Sequence, residues 1–335
     1  MTDRISLLRR RLLLFTGKGG VGKSTVVAAI AEAAARRGQR PLIVELGHRA
    51  SMQDIFLGRA GGSGRRRAPK IGHEPVAVRP DGGVWAMNID LESALFDYVV
   101  EQVKVKRIAR MITGNRTLDR LFRAAPAVRE IVMLNKLRQL ERQQQADGAP
   151  RWSPILVDLD ATGHALMFLE MPRMLRKVIA HGPLRGLVDS LTELFTDRQR
   201  TTLCLVTLPL EVPVQETLEL YHELTELHEV SIGGMFINQV PAAPLDDAAI
   251  AALDELETRA RASHDGAAQR EVLADVTLAR RMVASYRHAR AQVERLRELG
   301  LPTAELPRMY LRSGEALDLE ALGERALTGL EGGDA

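Results

Sequence analysis

The stretch GKGGVGKST, Gly17 to Thr25, constrains what this chain can fold into more than any other part of its 335 residues. Gly17, Gly22, Lys23 and Ser24 meet the phosphate-loop pattern G-x-x-x-x-G-K-[ST], in which glycine amides reach phosphate oxygens with no Cβ in the way. The pattern requires a strand before it and a helix after it. Arg11 to Phe15 (RLLLF) is a short apolar run, and Ser24 to Gly38 (STVVAAIAEAAARRG) has helical composition closed by a glycine. Strand, loop and helix in that order place phosphates on the positive end of the helix dipole. In such a site Lys23 neutralises the β- and γ-phosphates and the Ser24 hydroxyl holds Mg²⁺. Lys18 is a second lysine, which the general pattern does not require.

The rest of the chain alternates strand and helix signals. PLIVEL (Pro41 to Leu46), VWAMNID (Val84 to Asp90), PILVDLD (Pro154 to Asp160), TTLCLVTL (Thr201 to Leu208) and VSIGGMFIN (Val230 to Asn238) read as strands, and PTAEL (Pro302 to Leu306) as a final edge strand. From Leu91 to about Ala146 the pattern is helical, with Leu95, Tyr98, Val99 and Val103 on one face. This predicts a helical insertion over residues 91–150 of one domain spanning 1–335, joined by helices of 165–200. Another helix begins at about Ala165, and Asp246 to Leu299 is helical and rich in charge. The fold class that follows is α/β, a doubly wound and mostly parallel sheet with a helical insertion.

Composition removes several alternatives. No run approaches the ~18 apolar residues of a membrane span, so a cytoplasmic protein is expected. The single cysteine, Cys204, sits in an apolar run as a small hydrophobe, and it leaves no disulfide framework or thiolate zinc site. Net charge is only +3. The clearest basic cluster, GRAGGSGRRRAPK (Gly58 to Lys70), lacks the aromatic residues that would stack on bases, so it reads as a solvated loop and argues against nucleic acid.

Several polar residues stand where such a fold does chemistry. Asp158 ends an apolar strand, at the position that needs a carboxylate for Mg²⁺. In the following DATGHAL (Asp160 to Leu166), Gly163 offers an amide to a γ-phosphate, and His164 either takes part or bonds within the turn. Asn238 and Gln239 follow the strand residues GGMFI at the carboxyl edge of the sheet, where α/β folds bind ligands. The Asn238 amide, both donor and acceptor, suits an adenine edge and equally suits a turn before a proline-containing loop.

These residues carry a resemblance. GKGGVGKST resembles the deviant Walker A motif of the ATPases that include MinD, ParA, nitrogenase iron protein and the arsenite-pump ATPase, P-loop NTPases of the SIMIBI type. ILVDLDATGHALMFLEMP (Ile155 to Pro172), APAVREI (Ala125 to Ile131), VTLPLEVPVQETLEL (Val206 to Leu220) and FINQV (Phe236 to Val240) are similar to segments of the arsenite-pump (ArsA) and tail-anchored-protein-targeting ATPases. The resemblance implies ATP and Mg²⁺ as ligands. By it Gly19, Gly20, Gly22, Lys23, Ser24 and Thr25 bind phosphate and Mg²⁺, Asp158 joins Ser24 at the metal and Asn238 meets adenine; Gly17, Lys18, Val21, Gly163 and Gln239 complete the expected nucleotide-binding set. It makes Lys18 and Lys23 the catalytic lysines, with Lys18 reaching across a dimer interface. It also implies a homodimer, or a heterodimer with a paralogue, that couples nucleotide state to a protein partner or hydrophobic cargo on the helical insertion. There Met111, Met133, Met167, Met171 and Met174 either line a groove or fill the helix core.

The departures from the family pattern matter as well. The aspartate of the first switch, which activates water, falls here on Gly47 within ELGHRASMQDIF (Glu45 to Phe56). Loss of such a base typically costs about 10²- to 10⁴-fold in rate, so weak hydrolysis is expected unless Glu45, His48 or Asp54 substitutes. One cysteine cannot supply a three-thiol metalloid site or a C-x-x-C zinc staple. Two alternatives stay open: a non-catalytic ATP-binding subunit paired with an active paralogue, and a ParA- or MinD-like positioning ATPase. The acidic C-terminal LGERALTGLEGGDA argues against a membrane-binding version of the latter.

Overall fold

The computed structural model describes residues 6–46, 51–57, 70–103, 126–159, 162–227, 230–262, 266–310 and 316–332. The apolar runs form strands β1 (Leu12–Thr16), β2 (Leu42–Leu46), β3 (Val76–Ala77), β4 (Trp85–Ile89), β5 (Ile155–Asp158), β6 (Thr201–Thr207), β7 (Ile232–Val240) and β8 (Thr303–Pro307). They assemble in the order β3-β4-β2-β5-β1-β6-β7-β8. Every pairing is parallel except that of β3 with β4. Every residue of β1, β2, β5 and β6 is buried, as a parallel sheet covered on both faces requires. The edges are blunted: β3 has two residues, and β8 alternates buried and half-buried positions.

Alternate residues of β1 feed two cores. Leu13 and Phe15 face helices α1 (Lys23–Arg36) and α2 (Ser51–Leu57). Leu12 and Leu14 face a thicker layer of α3 (Leu91–Val103), α4 (Pro126–Glu141), α5 (Thr162–Val178), α6 (Pro183–Thr196) and α7 (Glu211–Leu227). The chain then runs through α8 (Asp247–Ala262) into the 32-residue α9 (Gly266–Arg297), whose Arg280 bridges back to Asp254 and Glu257, both at 2.6 Å. Within the thicker layer, α3 is tied to α4 by polar contacts as well as packing. Glu101 accepts from Asn135 at 2.8 Å, Arg138 at 2.9 Å and Gln139 at 2.8 Å, and Asp97 accepts from Lys136 at 2.5 Å and meets His73 at 2.9 Å. Burial opposes charge on Asp97 and Glu101, but these donors outweigh it and hold both carboxyls below their ordinary values.

Some boundaries differ from the sequence expectation. Helix α5 begins at Thr162 rather than near Ala165, and β7 runs to Val240 rather than ending at Asn238. The acidic C-terminal segment forms α10 (Leu319–Glu331), capped by Asp318 accepting from the Ala321 amide at 2.9 Å. Leu322, Ala326, Leu327 and Leu330 of α10 are buried against α1 and the sheet. The helices approach so closely that a Cβ at Gly323 would lie 2.0 Å from the Ala29 carbonyl oxygen. Gly323→Ala is therefore expected to cost about 1–3 kcal/mol or more in urea unfolding. By contrast Gly186, exposed on α6 with open space around its Cβ position, is expected to gain up to about 1 kcal/mol on substitution by alanine. Equal effects at the two positions would contradict the α1–α10 packing.

Candidate functional site

The loop from β1 into α1 is shaped by three glycines with positive φ: Gly17 at 152°, Gly20 at 86° and Gly22 at 90°. Two of them are closed to any side chain. A Cβ on Gly17 would lie 2.0 Å from the Val206 carbonyl oxygen on β6, and one on Gly22 would lie 2.3 Å from Asn238 Nδ2 on β7. The loop is thus wedged against the carboxyl ends of β6, next to β1, and of β7 beyond it. Asn238 secures it, because Nδ2 donates to the Val21 carbonyl at 2.9 Å while Oδ1 accepts from the Gln239 amide at 2.9 Å. Val21 is buried; Lys18, Gly19 and Gly20 form the exposed crest. Lys23, only 4% exposed, arches back under the crest and donates to the carbonyls of Gly17 at 3.0 Å and Lys18 at 3.2 Å. Gly22 caps α1 without a side-chain bond, so the first-turn amides, those of Ser24 and Thr25 included, are oriented toward an anion.

Two carboxylates close the other side. In the β2–β5 register Glu45 lies opposite Asp158, each at or beside its strand's carboxyl end. The Ser24 hydroxyl donates to Asp158 Oδ2 at 2.5 Å. Glu45 is 1% exposed; its Oε1 accepts from the Met52 amide at 3.2 Å, and its Oε2 is buried with no hydrogen-bond partner. Burial pushes the Glu45 carboxyl up to about 7, with the neighbouring Asp158 charge acting in the same direction against the Met52 bond. A hydroxyl and two carboxylates are the hard oxygen donors that Mg²⁺ takes. A cradle of amides with a lysine beneath it suits the polyphosphate that such an ion accompanies. The residues present therefore fit both groups.

Other positions named from the sequence fall as follows. Gly163 lies in the first turn of α5, which starts four positions beyond Asp158. Asn238 and Gln239 lie inside β7, not after it: the strand continues because Gln239 takes a left-handed φ of 56° at a register shift against β8. Asn238 accordingly acts as a brace under the loop, not as a turn former. Asp54 is exposed on α2. Gly47, His48, Met111 and residues 58–69 lie outside the described residues, as does the His164 side chain. Met133 and Met171 are buried in the helical layer, whereas Met174 is 53% exposed. Cys204 is buried, and that burial pushes its thiol up to about 12.

Sequence reasoning missed Glu216, whose carboxylate meets Lys18 Nζ from α7. It also missed Met309 and Tyr310, exposed just beyond β8 where the Arg308 amide bonds to Val240. No spacing signal marks either, because strand order brings Glu216 to Lys18 and the end of β8 beside Val240. A cavity of about 360 Å³ beside the sheet, lined by Arg198, Tyr221 and Ser231 among others, opens at the opposite end of β6 and β7.

Comparison with known proteins agrees with this geometry. Residues 10–188 match the family model described as the anion-transporting ATPase. The chain is 29% identical to ATPase BagA of Mycobacterium tuberculosis over 94% of its own length and 91% of that protein. It is 24% identical to ATPase GET3 of Kluyveromyces lactis over 74% of its length and 77% of that protein. A putative arsenical pump-driving ATPase of Halobacterium salinarum is 27% identical over 62% of this chain and 32% of that protein. No helix among the described residues is long and apolar enough to cross a membrane.

Two outcomes are expected from the geometry alone. Asn238→Asp turns the donor to Val21 into an acceptor facing a carbonyl and is expected to cost about 1–3 kcal/mol in urea unfolding. Without nucleotide or metal, a Glu45 pKa raised from 4.5 to about 7 means that the native state holds this proton more tightly than the unfolded chain. Stability is then greatest below about pH 4.5 as far as this group is concerned and falls as pH rises to about 7, by on the order of 3 kcal/mol. Glu45→Gln is expected to flatten the difference between unfolding at pH 5 and at pH 8.

Proposed function

The chain belongs to the anion-transporting ATPase family, and from that premise we propose that it is a Mg²⁺-dependent ATP-binding protein whose nucleotide state governs attachment of a protein or hydrophobic cargo. One observation supports this most. Ser24 and Asp158, 134 positions apart in sequence, meet at 2.5 Å beside a loop whose Gly17 and Gly22 let its backbone press directly onto Val206 and Asn238. In this reading Gly17, Gly19, Gly20, Val21, Gly22, Ser24 and Thr25 offer amides to the phosphates. Lys23 exchanges loop carbonyls for phosphate oxygens, and Lys18 is the second catalytic lysine. Ser24 and Asp158 hold Mg²⁺, which when bound neutralises charge on the β- and γ-phosphates.

Asn238 and Gln239, with the exposed Met309 and Tyr310 beside them, stand on the side where the adenine would lie. Gly163 heads α5, so a γ-phosphate contact there reaches the helical layer directly. The insertion of residues 91–150 is the proposed cargo-bearing subdomain, and the α3–α4 polar network lets those two helices move as one body. The assembly is a homodimer or a heterodimer with a paralogue. A non-catalytic subunit paired with an active paralogue is the second reading, favoured by Gly47 standing where the family pattern has its aspartate.

Mg-ATP titration calorimetry and steady-state phosphate release, on the wild type, Lys23→Ala and Asp158→Asn, separate these readings. Lys23→Ala is expected to weaken ATP binding about 10- to 100-fold, the equivalent of losing charge-assisted hydrogen bonds. Asp158→Asn is expected to abolish phosphate release and the Mg²⁺ dependence of binding. A wild type that binds ATP yet releases no phosphate above the variants selects the non-catalytic reading, and one that binds no ATP overturns both.

A further inference from the structure

The two lysines of the loop are held differently. Lys23 is turned inward to the carbonyls of Gly17 and Lys18, whereas the Lys18 ammonium is turned outward onto Glu216 Oε1 of α7. Lys18 is 48% exposed and Glu216 27%, so the pair lies at the rim of the loop rather than in the core. The second carboxylate oxygen, Glu216 Oε2, is buried with no hydrogen-bond partner. Lys18 therefore supplies the cation for a carboxylate that has little else to hold it.

Helix α7 is a firm platform for that carboxylate. It follows directly from β6, the strand against whose Val206 carbonyl Gly17 is pressed. Its first turn is tied to the end of β6 by Thr207 Oγ1 donating to the Pro213 carbonyl at 3.2 Å, and Val214 is fully buried. Loop and helix cannot easily drift apart, so the distance between Lys18 and Glu216 is set by the fold.

From this arrangement we infer that Glu216 is a positioning residue that holds Lys18 off the phosphate site in the nucleotide-free chain, and that a polyphosphate must take Lys18 from it. The inference rests on the proposed ATP-binding reading of the loop. No bond is made or broken covalently; one ammonium exchanges a carboxylate for a phosphate oxygen. Two consequences follow. Occupancy of the loop is reported to α7 as the loss of an ion pair, and apparent affinity for ATP is lowered by the strength of that pair. Partly exposed ion pairs are worth about 0.2–1 kcal/mol, so the affinity effect is about 1.5- to 5-fold.

The test is a double-mutant cycle read by Mg-ATP titration calorimetry on the full chain: wild type, Glu216→Gln, Lys18→Met and the double variant, with unfolding midpoints recorded to show that each folds. Glu216→Gln is expected to tighten ATP binding about 1.5- to 5-fold when Lys18 is present and to have no effect when Lys18 is methionine. Glu216→Asp, which keeps the charge but withdraws it by one methylene, is expected to tighten binding as well; it also keeps the test decisive if the glutamine variant does not fold. Equal tightening in both Lys18 backgrounds, or tightening by Gln but not by Asp, would show a general field effect and overturn the inference. No tightening by either variant overturns it too, while leaving the ATP-binding reading intact. Absence of ATP binding in the wild type overturns both.

Discussion

The constraint on which the rest of this structure depends is the wedging of one loop between two strand ends. Strand β1 has β5 on one side and β6 on the other, and the loop leaving it presses Gly17 onto Val206 and Gly22 onto Asn238. No residue with a Cβ fits at either point, and at both the backbone also takes a positive φ. The loop cannot relax toward β6 or β7, so its amides stay directed at the space above β1. That rigidity makes the first turn of α1 an anion site rather than an ordinary helix start.

A second constraint is electrostatic. Glu45 and Asp158 are neighbours in adjoining parallel strands, and both are nearly removed from water. Burial is the main reason that Glu45 is pushed toward neutrality in the chain without ligands, and repulsion from the Asp158 charge adds to it. A divalent cation relieves the same repulsion. The acidic pair and the cationic loop therefore face one another across the site, with the Ser24 hydroxyl between them. Lys18, turned out to Glu216, is the one loop cation that this balance leaves at the rim.

Much of this is legible in the sequence, for physical reasons that differ by element. The central strands are continuous apolar runs because both faces are covered, and the loop announces itself because only glycine satisfies it. Asp158 is legible because a charge closing an apolar run has few structural excuses. What is not legible depends on strand order. Nothing local says that Glu216 reaches Lys18 or that Glu45 sits beside Asp158, since those meetings are made by the sheet. Asn238 is legible as a site residue, but its work as a brace under Val21 and the extension of β7 past it come from a single left-handed residue, Gln239. Helix α10 is hidden for another reason: its buried face includes Gly323, which propensity alone counts as a weakness.

The most direct measurement of the central claim is amide hydrogen exchange of the full chain with and without Mg-ATP. Slowed exchange at the amides of residues 17–25, together with the segments ending β5 and β7, is the expected result, with helix α8 unchanged as an internal control. Protection elsewhere with residues 17–25 unaffected, or no change anywhere at saturating Mg-ATP, would contradict the assignment of this loop as the polyphosphate site.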